Sequence, residues 1–556
     1  MIPCMNRAVK VGLAGSGTVL LFLAGMGAYN VASGLVPGFG ADDGTKTGRG
    51  FDLASVSSTP PPNDKAVEFA HSFLEKWSDQ QLGGAADATD VPHTASPALQ
   101  GYADGLRLTK VSFGHVLAAG PSAVTKGATK VTFDVTAQVA GGTWSYPSAV
   151  AVQQSTDGAL AVHWNNSVLY PGLGDHDFLT AGPLPPGAVP AEVVAGDGRT
   201  DLSAFPSLRD ITATIRKNAK PVAENTGTGV AVVDGKGRGV KTLKYFSKGK
   251  PPVVTTTIDA RLQTVAESAV KDGHLQGKPA GTVALDWRNG HILAVAHTGD
   301  DGDIAINGIK SPGSTMKIIT SAALIDRAGL TPGSTAPCTA TVTANGQVFH
   351  NDPGVSADSG STLAQAFAVS CNTSFIKEGF HHLVHDGDAS ALHDEAVNVF
   401  GMGSWSIGGG VATTDPSIPP DVHGGDQAAQ FIGQGKVTAT PLFMASVAAT
   451  VRNTGFEQPI ILPGQHQETA PQRISAPTAG YLQLLMRGVA SGGTAAPRLH
   501  GLSGVGAKTG TAEEGDHTNG WLTAYDSRIS VAALVEGGSS GVDSAGYVVR
   551  RLLGGS

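Results

Sequence analysis

The stretch Ser311-Pro312-Gly313-Ser314-Thr315-Met316-Lys317 decides how the chain reads. Ile318, Ile319, Ala322, Ala323 and Leu324 follow at once, with the spacing of an apolar helix face. Three residues apart on a helix, Ser314 and Lys317 share that face, which sets an amine beside a hydroxyl. A serine attacks a carbonyl at neutral pH only when a base takes its proton. Lysine can be that base once burial or neighbouring cations lower its pKa. By itself, S-x-x-K also describes a solvated helix face, so its meaning rests on what the chain places around it.

Upstream, Thr255-Thr256-Thr257-Ile258-Asp259 leads into Leu262, Val265, Ala266, Ala269 and Val270, an amphipathic helix with Asp259 as its N-cap. Two apolar runs, 282–286 and 291–296, flank Trp287-Arg288-Asn289-Gly290, and Asn-Gly between such runs signals a hairpin. Downstream, Ser370-Cys371-Asn372 sits among apolar neighbours from Phe367 to Phe375. Farther on, Lys508-Thr509-Gly510-Thr511 reads as part of a strand, with two more strands in 521–525 and 529–535. S-x-x-K, S-x-N and K-T-G in this order are far more specific than any one of them alone.

Together these residues make the chain resemble a class B penicillin-binding protein, a D,D-transpeptidase. Other stretches agree: Thr257-Ile258-Asp259 with Gln263, Ile432-Gly433-Gln434-Gly435 followed by Thr438-Ala439-Thr440-Pro441-Leu442, and Gly493-Thr494-Ala495. The resemblance implies a β-lactamase-like fold, an antiparallel sheet flanked by helices, over 253–556. It implies that Ser314 attacks the D-Ala-D-Ala carbonyl of a peptidoglycan stem peptide while Lys317 takes the serine proton. Ser370 would assist the proton to the leaving group, and Asn372 would orient Lys317 and the substrate amide. Lys508, with Thr509, Gly510 and Thr511, would hold the terminal carboxylate. β-Lactams mimic the substrate and would acylate Ser314. No cofactor and no metal are implied, and H-E-x-x-H is absent. A D,D-carboxypeptidase or a serine β-lactamase of the same fold would use the same residues. A different class of answer is a binding or scaffold protein whose transpeptidase domain is inactive.

At 556 residues the chain is too long for one core. It is 41% hydrophobic and 15% charged, which makes it globular, and its net charge of -8 argues against a nucleic-acid partner. Residues 1–10 carry Arg7 and Lys10 and no acid, and 11–31 are uncharged. Their apolar part would span ~28 Å as a helix, close to a bilayer core. The expectation is a cytoplasmic tail at 1–10 and a single-pass anchor at 11–31 in the cell membrane, with the catalytic part outside the cytoplasm. A cleavable signal peptide is the alternative. A Gly- and Pro-rich linker follows at 32–62.

Ala66, Phe69, Ala70, Phe73, Leu74 and Trp77 then mark a helix that Asn63 is placed to cap, and alternating strands come after it. This order resembles the NTF2-like (MecA-type) α+β domain at the N-terminal end of some penicillin-binding proteins, and is assigned to 63–172. The family uses that architecture in β-lactam-resistant enzymes and in housekeeping synthases alike. Residues 173–252 read as a β-rich, dimerisation-type pedestal. Partners would be stem peptides, β-lactams, and proteins of wall synthesis or division. Cys338 and Cys371 either pair, if the chain is exported, or stay as two buried thiols.

Overall fold

The computed structural model describes residues 51–185, 190–219, 227–299, 302–384 and 390–554. The expected anchor at 11–31 lies outside them. Among the described residues no helix is long and apolar enough to cross a membrane. The described residues divide into two compact units, one drawn from 51–191 and 227–252, the other from 192–219 and 253–554.

In the first unit, helix Asn63–Ser78 buries Ala66, Ala70, Phe73, Leu74 and Trp77, the face read from their spacing. Asn63 is the first helical residue and Pro62 holds the cap position without a side-chain bond, so the helix starts one residue earlier than an Asn63 cap requires. Helix Pro92–Leu106 has proline at its first turn, where a missing N–H costs nothing, and ends on Arg107 in the left-handed region. Four strands follow as an antiparallel meander: Lys110–Pro121, Ala128–Val139, Gly142–Gln154 and Leu160–His163. In Ala128–Val139 the residues from Val131 onward alternate between the core and the other face, as a one-sided sheet requires. Trp77 lies at the centre of this core, with ring centroids 5.3 Å from Tyr102 and 5.0 Å from Phe113.

The stretch 173–252 is shared between the two units. Strands Phe178–Pro183, Gly227–Val233 and Gly239–Lys248 form a small antiparallel sheet. Its Leu179, Ala181, Val230 and Val232 join the core built around Trp77. Glu192–Val194 instead pairs in parallel with Val253–Thr255. With helix Arg209–Asn218 it adds Val193, Ile211 and Ile215 to the second core.

The second unit is organised on a five-stranded antiparallel sheet in the order His291–His297, Ala280–Asp286, Ser530–Val535, His517–Tyr525 and Gly506–Glu514. The first two strands form the expected hairpin, with Asp286 opposite His291. Asp259 caps helix Ala260–Ala269 by accepting from the amides of Arg261 and Leu262. Every residue of the central strand Ser530–Val535 is buried, because helices Ala545–Gly554 and Pro441–Asn453 pack against it. The second motif lies on a helical layer made of Lys317–Ala328, Leu363–Ala368, Asn372–Leu383 and Ala476–Ser491. The edge strand Gly506–Glu514 runs beside the turn that carries Ser314.

Replacing Trp77 by alanine should lower the stability of the first unit by about 3–5 kcal/mol, the cost of emptying an aromatic core site. Chemical denaturation followed by circular dichroism measures it, and a loss under 1 kcal/mol would mean that the cluster does not carry this core.

Candidate active site

Ser314 lies in a 3-10 turn, Gly313–Met316, directly ahead of helix Lys317–Ala328. In a 3-10 turn residues three apart eclipse, which aligns the two side chains more closely than an α-helix would. Lys317 is wholly buried and Ser314 is 5% exposed. The lysine Nζ lies 2.8 Å from Ser314 Oγ, 2.7 Å from the Ser370 carbonyl oxygen and 2.7 Å from Asn372 Oδ1. A neutral amine has two hydrogens and one lone pair. The carbonyl and the amide oxygen can only accept, so they take both hydrogens. The lone pair is left facing the Ser314 hydroxyl, which is the arrangement a base needs.

Ser370 makes this possible by its backbone. Helix Leu363–Ala368 has Val369 at its C-cap, and Ser370 follows with φ +62°. That is the left-handed position where helices ordinarily place glycine. A serine here carries a strain of order 1–3 kcal/mol. In return, both its carbonyl and its hydroxyl face the lysines: Ser370 Oγ is 3.3 Å from Lys317 Nζ and accepts from Lys508 Nζ at 2.8 Å. Lys508 also donates to the Thr509 carbonyl at 2.9 Å and, like Lys317, is fully buried. Phe375 and Phe367 rings lie 5.5 Å from Lys317 and Lys508 respectively.

Burial drives the Lys317 amine well below its ordinary pKa, and the positive Lys508 pushes it further down, with Asp352 acting in the opposite sense. Burial likewise pulls Lys508 down to about 7, again against Asp352.

Two glycines let the nucleophile turn touch the edge strand. Gly313 has φ +51°, and a Cβ there would lie 2.4 Å from the Thr511 carbonyl oxygen. A Cβ on Gly510 would lie 2.7 Å from the Pro312 carbonyl oxygen. Thr509 Oγ1 is 2.6 Å from Thr494 Oγ1, which brings Gly493-Thr494-Ala495 to the same strand. Behind the second motif the structure joins Cys338 to Cys371 by a disulfide, Cα to Cα 6.0 Å.

The structure thus gathers Ser314, Lys317, Ser370, Asn372 and Lys508 into one hydrogen-bonded group, with Thr509, Gly510 and Thr511 on the adjoining strand. Sequence reading assigned nothing to Asp352, whose Oδ1 accepts from Asn372 Nδ2 at 3.1 Å. It follows the hairpin Thr341–Ala344 and Gln347–His350, whose Asn345-Gly346 turn was a legible signal for that hairpin though not for the acid beyond it.

A serine with a buried lysine base, a second serine between two lysines and a K-T-G edge strand on an antiparallel sheet define the penicillin-interacting serine enzymes. The model of the penicillin binding protein transpeptidase domain matches residues 280–554, and that of the NTF2-like N-terminal transpeptidase domain matches 65–177. The chain belongs to the penicillin-binding protein transpeptidases and carries an NTF2-like N-terminal domain. Peptidoglycan D,D-transpeptidase PbpA of Mycobacterium tuberculosis (strain CDC 1551 / Oshkosh) is 27% identical over 455 residues, covering 68% of this chain and 87% of that protein. PbpA of Mycolicibacterium smegmatis is 27% identical over 371 residues, 56% of this chain and 74% of that one. Among solved structures, penicillin binding protein 3 of M. tuberculosis shares the fold, with a TM-score of 0.51 at 18% identity over 66% of this chain and 95% of that chain.

Two outcomes follow from this geometry. Lys508→Met removes the cation that depresses Lys317, so the Lys317 amine should titrate at higher pH than in the parent. An NMR titration of its Cε resonance reads this, and a downward shift would refute it. Alkylation of the denatured, unreduced protein should leave Cys338 and Cys371 unlabelled. Opening that 33-residue span by reduction should cost about 4 kcal/mol of stability in the chain-entropy account.

Proposed function

We propose that the chain is a peptidoglycan D,D-transpeptidase that cross-links stem peptides through a serine acyl-enzyme. The observation that carries this reading is the Lys317 amine, dry and committed to two acceptors, with its free lone pair on Ser314 Oγ. Ser314 Oγ attacks the carbonyl of the D-Ala-D-Ala bond as its proton passes to Lys317. The tetrahedral oxyanion meets the backbone N–H groups of Ser314 and Thr511, which the Gly313 contact holds close together. Lys317 and the Ser370 hydroxyl return a proton to the departing D-Ala amine, and the C–N bond breaks. Lys508, Thr509 and Thr511 hold the terminal carboxylate, and Asn372 orients both Lys317 and the substrate amide. An amine from a second stem peptide then attacks the acyl-enzyme, loses its proton to the same relay and releases Ser314. The names of the curated relatives support the substrate class.

β-Lactams take the same route to the acyl-enzyme but keep their leaving group tethered. Glu378 and Glu514, which follow the second and third motifs, are paired with His382 and Lys310. Neither Glu378 nor the Glu513-Glu514 pair serves in this reading as a base for hydrolytic water, since neither spacing matches a β-lactamase base, and the acyl-enzyme persists. In this reading residues 11–31 anchor the enzyme in the cell membrane with the catalytic unit on the outer side. The linker and the NTF2-like unit act as a spacer, and proteins of wall synthesis or division are the natural partners.

Labelled penicillin should acylate the protein stoichiometrically, and Ser314→Ala should abolish the label. Lys317→Ala should slow labelling by about a hundred- to ten-thousand-fold, the usual worth of a general base. Wild-type protein that takes no label would overturn the proposal. The acylation and release rates separate a sensitive synthase from a resistant one and from a β-lactamase.

A further inference from the structure

Asp352, outside the three motifs, touches the site through the Asn372 amide. It stands two residues past strand Gln347–His350 and is exposed, on the solvent side of the second motif. Its Oδ1 accepts from Asn372 Nδ2 at 3.1 Å, and the His350 carbonyl lies 3.5 Å from the same nitrogen. The other end of that amide, Oδ1, accepts from Lys317 at 2.7 Å. An asparagine amide with a free rotor presents either its oxygen or its nitrogen to a neighbour. A carboxylate can only accept, so at Asp352 it admits only the NH2 end and leaves the oxygen for Lys317. The hairpin is itself held in place. Asn351 Nδ2 donates to the Thr339 carbonyl at 2.9 Å, and Asn351 Oδ1 accepts from the Thr373 amide at 3.0 Å, one residue beyond Asn372.

We propose that Asp352 is a positioning residue of this active site: it locks the orientation of the Asn372 amide and supplies the negative charge that acts on both buried lysines. The proposal rests on the transpeptidase reading above.

The charges around the base come from each element packed on it. Lys508 faces it from the edge strand. Asp352 and the titratable His350 come from the hairpin. Glu378, on the helix that Asn372 begins, is engaged with His382. Lys508 and Asp352 act on Lys317 in opposite senses. An amine must be neutral to accept the Ser314 proton, so acylation rises with pH through the Lys317 titration. Removing a carboxylate that favours the charged amine moves that rise toward lower pH.

The test is the rate of labelling of the full chain by a labelled penicillin between pH 5 and pH 10, in wild type, Asp352→Asn and Asp352→Ala. Asparagine removes the charge and keeps an oxygen for the Asn372 amide, but its own NH2 can also donate, so the orientation of Asn372 is no longer enforced. Its rising limb should move to lower pH by about half a unit to one unit, with a plateau between those of wild type and Asp352→Ala. Alanine removes the acceptor as well, so the same displacement should come with a plateau roughly tenfold lower. Asp352 is exposed, so neither change opens a cavity, and thermal unfolding of both variants checks that they fold. A limb that stays where wild type has it, or moves to higher pH, overturns the proposal. So does a lowered plateau in Asp352→Asn with an unmoved limb, which is the signature of a merely structural role. Wild type that takes no label removes the transpeptidase reading and this proposal with it, a result distinct from a labelled wild type with unmoved variants.

Discussion

Two lysines buried side by side are the constraint on which the second unit depends. Lys317 and Lys508 are both fully out of water, and the groups bonded to them are hydroxyls, carbonyls and one amide. None of those groups carries a compensating negative charge. A buried ammonium without a counter-ion is costly and two neighbouring ones cost more, so Lys317 gives up its proton while the charge on Lys508 helps to keep it neutral. The protein therefore does not need to make lysine basic; it needs to make it neutral. Burial does that, and the hydrogen-bond pattern then decides where the lone pair points. The one carboxylate that acts on the pair, Asp352, is kept at the solvent edge, where its charge is softened by water.

Keeping that pair dry fixes much of the surrounding architecture. The nucleophile turn must lie against the edge strand, which requires glycine at Gly313 and Gly510, because any side chain there would meet backbone oxygen. Ser370 must turn its carbonyl inward, and it does so by taking the left-handed position at the end of a helix at some cost in strain. The disulfide to Cys371 and the Asn351 bonds hold the segment that bears this strain. A cross-link and a pair of hydrogen bonds thus lie directly beside the left-handed Ser370, which is where a pre-organised site needs support.

The first unit obeys a plainer rule. Its helix and meander meet over an aromatic core at Trp77, and the apolar sides of three later strands complete it. Its one buried carboxylate among the described residues, Asp90, is satisfied by Gln153, His163 and the Trp164 amide, so no charge there is left to be neutralised by loss or gain of a proton. The chain passes between the two units three times, around residues 191, 219 and 252.

The sequence by itself determined the local elements and the identity of the reacting groups. The period of the apolar residues marked the helices after Asn63, Asp259 and Ser314, Asn289-Gly290 marked a hairpin, and the order of S-x-x-K, S-x-N and K-T-G named the five polar residues of the site. These are features of spacing, and spacing survives in a linear chain. What only the tertiary structure decided is everything that depends on residues far apart. Lys508 and Ser370 are 138 positions apart, and their bond exists because the sheet places Gly506–Glu514 at its edge beside the helical layer. Neither the lowered lysine pKa values, nor the left-handed Ser370, nor the hold of Asp352 on Asn372 has a local signature. The division of 173–252 between two cores has none either, since a strand's apolar face does not say which other face will cover it. Dryness, strain and charge coupling come from which surfaces meet, and that is settled only when the chain folds.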